Sequence, residues 1–218
     1  MVIEVDFHVH SKYSYDSFLN PRLIVKTAKR KGLSAVAITD HNTTKGAAET
    51  VREASLSGDL IVVPGIEVKT NIGDIIGLWV EGKIRSRSFL SVVDEIKKQD
   101  GIVVLPHPFR GHKNLRNEML SNIDVVETLN GRVSREDNLR AKKLALSLDK
   151  PVIGGSDAHF AFEIGCVRTI LPDASTSSEE LRKLITDGKR KLVGRESPFI
   201  VHGFSFGAEI IKQVISLL

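Results

Sequence analysis

Apolar, β-branched runs alternate with helical patterns along most of the chain, and no other feature restricts its fold as strongly. Strands are predicted over residues 2–7, 35–39, 60–66, 75–80, 102–105, 125–129, 152–153 and 167–171, where Val, Ile and Leu crowd into short runs. Residues 22–31, 45–56, 90–98, 136–148 and 178–186 carry helical spacing between them. Asn20-Pro21, Ser88 and Ser134 supply helix starts, while Gly32, Gly58, Gly188 and Pro151 supply stops. Strand–helix–strand order implies parallel strands joined by right-handed crossovers. About seven such units favour a closed β/α barrel over an open doubly wound sheet, and neither a dinucleotide-type nor a phosphate-loop glycine motif argues for the latter. No repeat, low-complexity tract or Pro/Ser-rich linker divides the chain, so residues 1–218 are expected to form one domain.

That order also gives the chemistry a place. The first strand runs into "VDFHVHSKYSYDS". Residues two apart in a strand point the same way, so His8 and His10 present both imidazoles to one side, with Asp16 in the polar loop beyond. An H-x-H pair alone is as readily a turn or a surface pair. The strand "AVAIT", however, runs into Asp40-His41, "LIVVPGI" into Glu67, "IVVL" into His107, and "PVIGG" into Asp157 and His159. Carboxyl ends of barrel strands converge on one face, so a set scattered in sequence becomes a cluster in space. Taken singly, "TDH" reads as a capped turn, "HP" as an ordinary loop and Glu67 as a paired surface carboxylate. Taken jointly, always just after a strand and using five of the seven histidines, they read as a metal site. His112 in "FRGHKNLR" and His202 in "FIVHGF" fall outside the pattern and are expected at a loop surface and in packing.

Several imidazoles with several carboxylates exceed the needs of one four-coordinate zinc. They suit two or three neighbouring divalent cations with mixed N/O ligands, such as zinc, manganese or iron. The single cysteine, Cys166, excludes an internal disulfide and a thiolate zinc site, and a buried small hydrophobe is its expected role. A net charge of +4 is too mild to argue for nucleic acid, and the basic run "RKLITDGKRKLVGR" is expected to be a solvated helix end and turn. No stretch resembles a signal peptide or reaches the ~18 apolar residues of a membrane span, so a cytoplasmic protein without membrane contact is expected.

Together "DFHVHSKYSYDS", "AITDHNT", "VPGIEVKT", "LPHPFR", "VETLNGR" and "GGSDAH" resemble the polymerase-and-histidinol-phosphatase (PHP) family of metal-dependent phosphoesterases over nearly the whole chain. The resemblance implies a distorted seven-stranded, TIM-like β/α barrel with a di- or trinuclear site. It implies His8, His10, Asp16, His41, Glu67, His107, Asp157 and His159 as metal ligands, with Asp40 as an orienter of His41. The chain departs from the family at "NIGDIIGLWV", where Asp74 stands in place of a usual histidine and is taken as a further ligand. Arg110 is the expected phosphate clamp, Lys12 a second contact, and Asn130 with Arg132 the pocket lining. The activity implied is hydrolysis of a phosphoester, on a small phosphorylated metabolite or nucleotide, by a metal-bridging hydroxide; no catalytic residue beyond the metal ligands is assigned. The alternatives are a nuclease of the 3′–5′ exonuclease type, acting on nucleic acid, and a non-catalytic binding subunit.

Overall fold

Residues 2–113, 115–172, 177–187, 189–195 and 212 are described by the computed structural model. Strand and helix alternate through β1 (Val2–Val9), α1 (Pro21–Arg30), β2 (Ala35–Ile38), α2 (Lys45–Ser57) and β3 (Ile61–Lys69). The rhythm breaks at β4 (Asp74–Leu78), which follows β3 with no helix between. It resumes with α3 (Phe89–Lys97), β5 (Ile102–Leu105), the single turn α4 (Asn117–Leu120), β6 (Val125–Asn130), α5 (Arg135–Ser147) and β7 (Val152–Gly155). Then come β8 (Val167–Pro172), α6 (Ser178–Asp187) and β9 (Lys191–Gly194). Helices start where the sequence places them. Asn20 Oδ1 accepts the Arg22 N–H ahead of Pro21, and Ser134 Oγ accepts the Asp137 N–H. Ser88 is the N-cap of α3 without a side-chain bond.

The nine strands of the described residues, two more than the seven expected, join one sheet in the order β7-β6-β5-β4-β3-β2-β1-β8-β9. The barrel class is as expected, but the strands are not uniformly parallel: β4 runs antiparallel to β3 and β5, and β8 runs antiparallel to β1 and β9. The β3–β4 connection is a short hairpin turn, with the Thr70 hydroxyl donating to Gly73 O at 2.5 Å, so no crossover is needed. The basic run near the end is a strand in part, because Leu192 and Val193 pair with Thr169 and Arg168 of β8. Among the described residues no ladder joins β7 to β8. There Thr169 Oγ1 closes the gap, accepting the Gly154 N–H at 2.8 Å and donating to Gly154 O at 3.2 Å.

Val5, Phe7, Ala37, Val63, Leu78, Val104, Val125 and Ile153 fill the barrel interior. At the end away from the histidines, Leu181 and Ile185 of α6 enter that same core, and Trp79 Nε1 donates to Ser178 Oγ at 2.8 Å. Complete burial of each aliphatic side chain contributes about 1.5–3 kcal/mol, which is what keeps α6 on the floor of the barrel. Outside the sheet, α1 and α2 cover β1–β3, and α3 and α5 cover β3–β6. Cys166 is half-buried and its sulfur is free of disulfide, so it is less enclosed than the sequence suggests. No helix among the described residues is long and apolar enough to cross a membrane. His202 and Gly188 lie outside the described residues.

Candidate metal centre

A slip in the pleat aims the first two histidines. Ile3, Val5 and Phe7 face the barrel interior, and strict alternation would send His8 and His10 outwards with Asp6. The β1–β2 register shifts between Asp6 and Val9, and Val9 packs on the outer helices instead. This bulge turns both imidazoles inward over the barrel. A similar shift in β6 lies between Glu127 and Leu129, and both Glu127 and Asn130 reach the same cluster.

The cluster contains all eight residues that the family resemblance implies. His8 Nε2 and His10 Nε2 are 3.1 Å apart, and each stands 3.2 Å from Glu67 Oε2. Asp157 Oδ1 lies 3.6 Å from the first and 3.3 Å from the second. Glu67 Oε1 meets His107 Nε2 at 3.1 Å. Asp16 Oδ2 meets His159 Nε2 at 2.8 Å and His41 Nε2 at 3.3 Å. Four triads result whose donor atoms lie within 4.8 Å of one another: His8–Glu67–His107, His8–His10–Asp157, His10–His41–Glu67 and His10–Asp16–His159. The donors are all imidazole nitrogens and carboxylate oxygens, which fits zinc, manganese or iron. His41 Nδ1 is buried without a hydrogen-bond partner, 3.5 Å from Glu67 Oε2, and a cation shared by the two would satisfy it.

Among themselves these groups behave as acid–base pairs. Burial opposes charge on His8, yet Asp157, Glu127 and Glu67 outweigh it and hold its pKa well above the usual imidazole range. Burial also opposes charge on His10, but bonds to Asp157 and Glu67 push its pKa up to about 10. Glu67 and Asp157 are held well below the carboxylate range despite burial, by His41 and His8 in one case and by Arg110 and His8 in the other. His159 goes the other way, its pKa lowered by burial and by the neighbouring His10.

A second layer fixes the first. Glu127 Oε1 accepts from His8 Nδ1 at 3.1 Å, leaving Nε2 for the cluster, and Oε2 accepts the His107 N–H at 3.0 Å. Glu163 accepts the N–H groups of His159 and Phe160, and pairs with the buried Arg132 at 3.0 Å, so it locks the turn that carries His159. Asp6 accepts from Ser156 and from the Gly165 and His8 N–H groups; burial nevertheless raises its pKa to about 6. At Gly155 a Cβ would stand 2.3 Å from His8 Cβ and 2.7 Å from Glu127 Oε1, so only glycine lets that pair meet. Two of the clustered donors, His107 (φ 27°) and Asp157 (φ 54°), hold left-handed backbone, which costs of order 1–3 kcal/mol at a non-glycine residue. Sequence reasoning missed Glu127, Glu163 and Asp6. Their signal is a carboxylate inside an apolar strand, "VVETL" and "VDFHV", or four residues past a ligand.

The remaining candidates fare differently. Arg110 Nη2 donates to Asp157 Oδ2 at 2.5 Å, and its side chain is 40% exposed at the mouth. Asp74 is half-buried with Oδ1 unpartnered, but it joins none of the four triads; burial and the nearby Glu67 raise its pKa. Asp40 is not an orienter of His41. It accepts the Ser11 N–H at 2.5 Å and the Ser11 hydroxyl at 2.6 Å, and so anchors the loop after His10. Lys12 pairs with Glu49 on the surface instead of reaching the cluster. Asn130 is fully buried, its amide donates to Glu127 and Asp157, and Arg132 is committed to Glu163. His112 is not loop surface: it stands behind His107, with Nε2 2.8 Å from Asp74 O, and burial with His107 lowers its pKa to about 4.

The sequence matches the PHP domain over residues 6–155 and the PHP-associated region over residues 135–189. Two uncharacterized proteins of Methanocaldococcus jannaschii are similar to it. One is 36% identical over 59% of this chain and 82% of its own length, and the other is 34% identical over 75% and 68%. Among solved structures, a two-domain protein of Bacteroides vulgatus containing a predicted PHP-like metal-dependent phosphoesterase superposes with TM-score 0.77 at 18% identity. That match covers 95% of this chain and 70% of the other. A lesion-specific endonuclease of Pyrococcus furiosus superposes with TM-score 0.63 at 18% identity, covering 88% and 58%. With the sequence match spanning residues 6–155 and the fold shared, the chain belongs to the PHP domain family.

Proposed function

We propose that this chain hydrolyses a phosphoester of a small phosphorylated metabolite or nucleotide, using two or three divalent cations. The observation that carries the reading is the sharing of donors: Glu67 and His10 each belong to more than one triad, an arrangement suited to neighbouring cations. His8, His10, Asp16, His41, Glu67, His107, Asp157 and His159 would hold them. Bound there, such cations supply Lewis acidity toward phosphoryl oxygens and lower the pKa of water. Glu127 fixes the tautomer of His8, and Glu163 fixes the turn of His159, so the donors are in place before a substrate arrives. Arg110 binds the phosphate, its half-exposed guanidinium exchanging the Asp157 oxygen for phosphoryl oxygens, which it grips bidentately. Asp74, with its free Oδ1, adds a hard oxygen donor beside the Glu67–His107 edge.

The test is a phosphate-release screen over mono- and diesters, run on chelated protein and on protein reloaded with Mn²⁺, Zn²⁺ or Fe²⁺. Release only from reloaded protein is expected. A protein that binds metal yet cleaves none of the esters overturns the reading in favour of a binding subunit. Arg110→Ala is expected to lower turnover with metal content unchanged, and Arg110→Lys to recover only part of it. If metal leaves with activity, Arg110 serves Asp157 and not the phosphate.

A further inference from the structure

Lys212 stands against the loop between β1 and α1. Its ammonium donates to three main-chain carbonyls of that loop: Lys12 O at 2.7 Å, Ser14 O at 2.5 Å and Ser17 O. It also lies 5.0 Å from the centre of the Phe18 ring. A lysine ammonium has three donors, and here all of them end on carbonyl oxygens of one short stretch. Three carbonyl dipoles turned to one point repel each other unless a cation sits between them. Such a set of oxygens, with an aromatic face beside it, is a coordination that a free monovalent cation would also accept.

The loop is wired into the cluster by its side chains. Ser14 Oγ donates to Asp16 Oδ1 at 2.7 Å and stands 3.3 Å from His10 Nδ1. Ser17 Oγ reaches the carbonyls of His10 and His159 at 3.1 and 3.2 Å. Asp16 itself meets His159 and His41. No helix or strand spans the loop, so the turn of its carbonyls decides where Asp16 points.

We propose that Lys212 is a positioning residue, a tethered monovalent cation that holds this loop in the form that presents Asp16 to His41 and His159. A lysine that merely packs its stem would be indifferent to which salt is dissolved around it. A lysine that stands in for a cation is replaceable by one.

The experiment measures amide hydrogen exchange over residues 11–19 in the full chain, wild type and Lys212→Met. Both are compared in choline chloride, potassium chloride and ammonium chloride at one ionic strength. Wild type is expected to exchange alike in all three. Lys212→Met is expected to exchange about tenfold faster in choline, as the charge-assisted bonds are lost, and to recover in potassium or ammonium. Mn²⁺ stoichiometry on the same samples should fall by one equivalent in choline and recover in parallel. This second readout alone rests on Asp16 being a ligand. If wild type binds no Mn²⁺, the proposed function falls and the exchange data still decide the role of Lys212. Wild-type protection of the variant in choline, or loss of protection that no salt restores, overturns the inference. Should Lys212→Met not fold, Lys212→Gln, which keeps a donor without the charge, carries the same comparison.

Discussion

Around His8 and His107 the donors are at most 2% exposed, and their other polar atoms are held by Glu127 and by the Arg110 carbonyl. Around Asp16 and His41 the side chains are 14% and 11% exposed, and His41 Nδ1 is buried without a partner. The first half comes from strand ends that a bulge and a glycine bring into contact. The second comes from loops. Donors whose second atoms are already bonded have little freedom left to lose, so a cation in the closed half should be held tightly and exchange slowly. The open half keeps the unsatisfied His41 Nδ1 and the more exposed donors, so a substrate would reach a cation there with less rearrangement.

Breaking the closed half should have the largest effect. Asp157→Ala removes a clustered carboxylate, frees His8 and His10 from it, and releases Arg110. Turnover should fall by more than the roughly 10–100-fold expected for loss of an outer partner, with the fold kept by circular dichroism. Near-normal turnover would remove Asp157 from the site. Glu127→Gln tests the layer behind. It should weaken metal binding about 10–100-fold through His8 while leaving the open half loaded, as titration calorimetry can separate. Equal weakening of every equivalent would dissolve the distinction between the halves.

Acidity should separate them again. His10 has its pKa raised to about 10, so its bound proton stabilises the folded chain fully below about pH 6.5, and that contribution fades as pH rises through about 10. His8 is shifted in the same direction. A cation must displace those protons, so affinity at the closed half should rise about tenfold per pH unit for each proton released. His159, shifted downward, has no such proton to give up near neutrality, so in its triad only His10 releases one, and that cation should show a shallower slope than one held by both His8 and His10. Parallel slopes would contradict the assignment. The smallest effect is expected at Asp74. Asp74→Ala should cost one weakly held equivalent, and Asp74→His should move metal preference towards zinc without ending catalysis. If the alanine variant binds as many metals as wild type, Asp74 only opens strand β4.

Most of the clustered donors were legible because they stand at or just past the end of a strand, Asp16 in the β1–α1 loop being the exception, and the barrel brings strand ends together whatever their distance in sequence. Periodicity, by contrast, says nothing of strand direction, so the antiparallel turn into β4 and the pairing of Lys191–Gly194 with β8 went unread. It also misjudged the pleat: His8 and His10 share a face, but that face turns inward only because the register slips after Asp6. Partner choice was the hardest to read. Asp40 lies beside His41 in the chain yet serves Ser11, and Gly46 leaves room for that contact: a Cβ there would lie 1.8 Å from Asp40 Oδ2. Such pairings depend on distances across the fold, to which sequence neighbours give no guide.

Helix α6 gives the domain an edge that the PHP match alone does not draw. The PHP match ends at residue 155, and only the PHP-associated match to residue 189 takes in Leu171 of β8 and Leu181 and Ile185 of α6, which belong to the same interior as Val5 and Ile153. The PHP match and the shared core therefore have different boundaries. A fragment of residues 6–155 would lack Asp157 and His159, would lose Val2–Val5, the part of β1 that pairs with β8, and would expose the floor of its core to water. Such a fragment should melt broadly and bind a hydrophobic dye where the whole chain unfolds in one step.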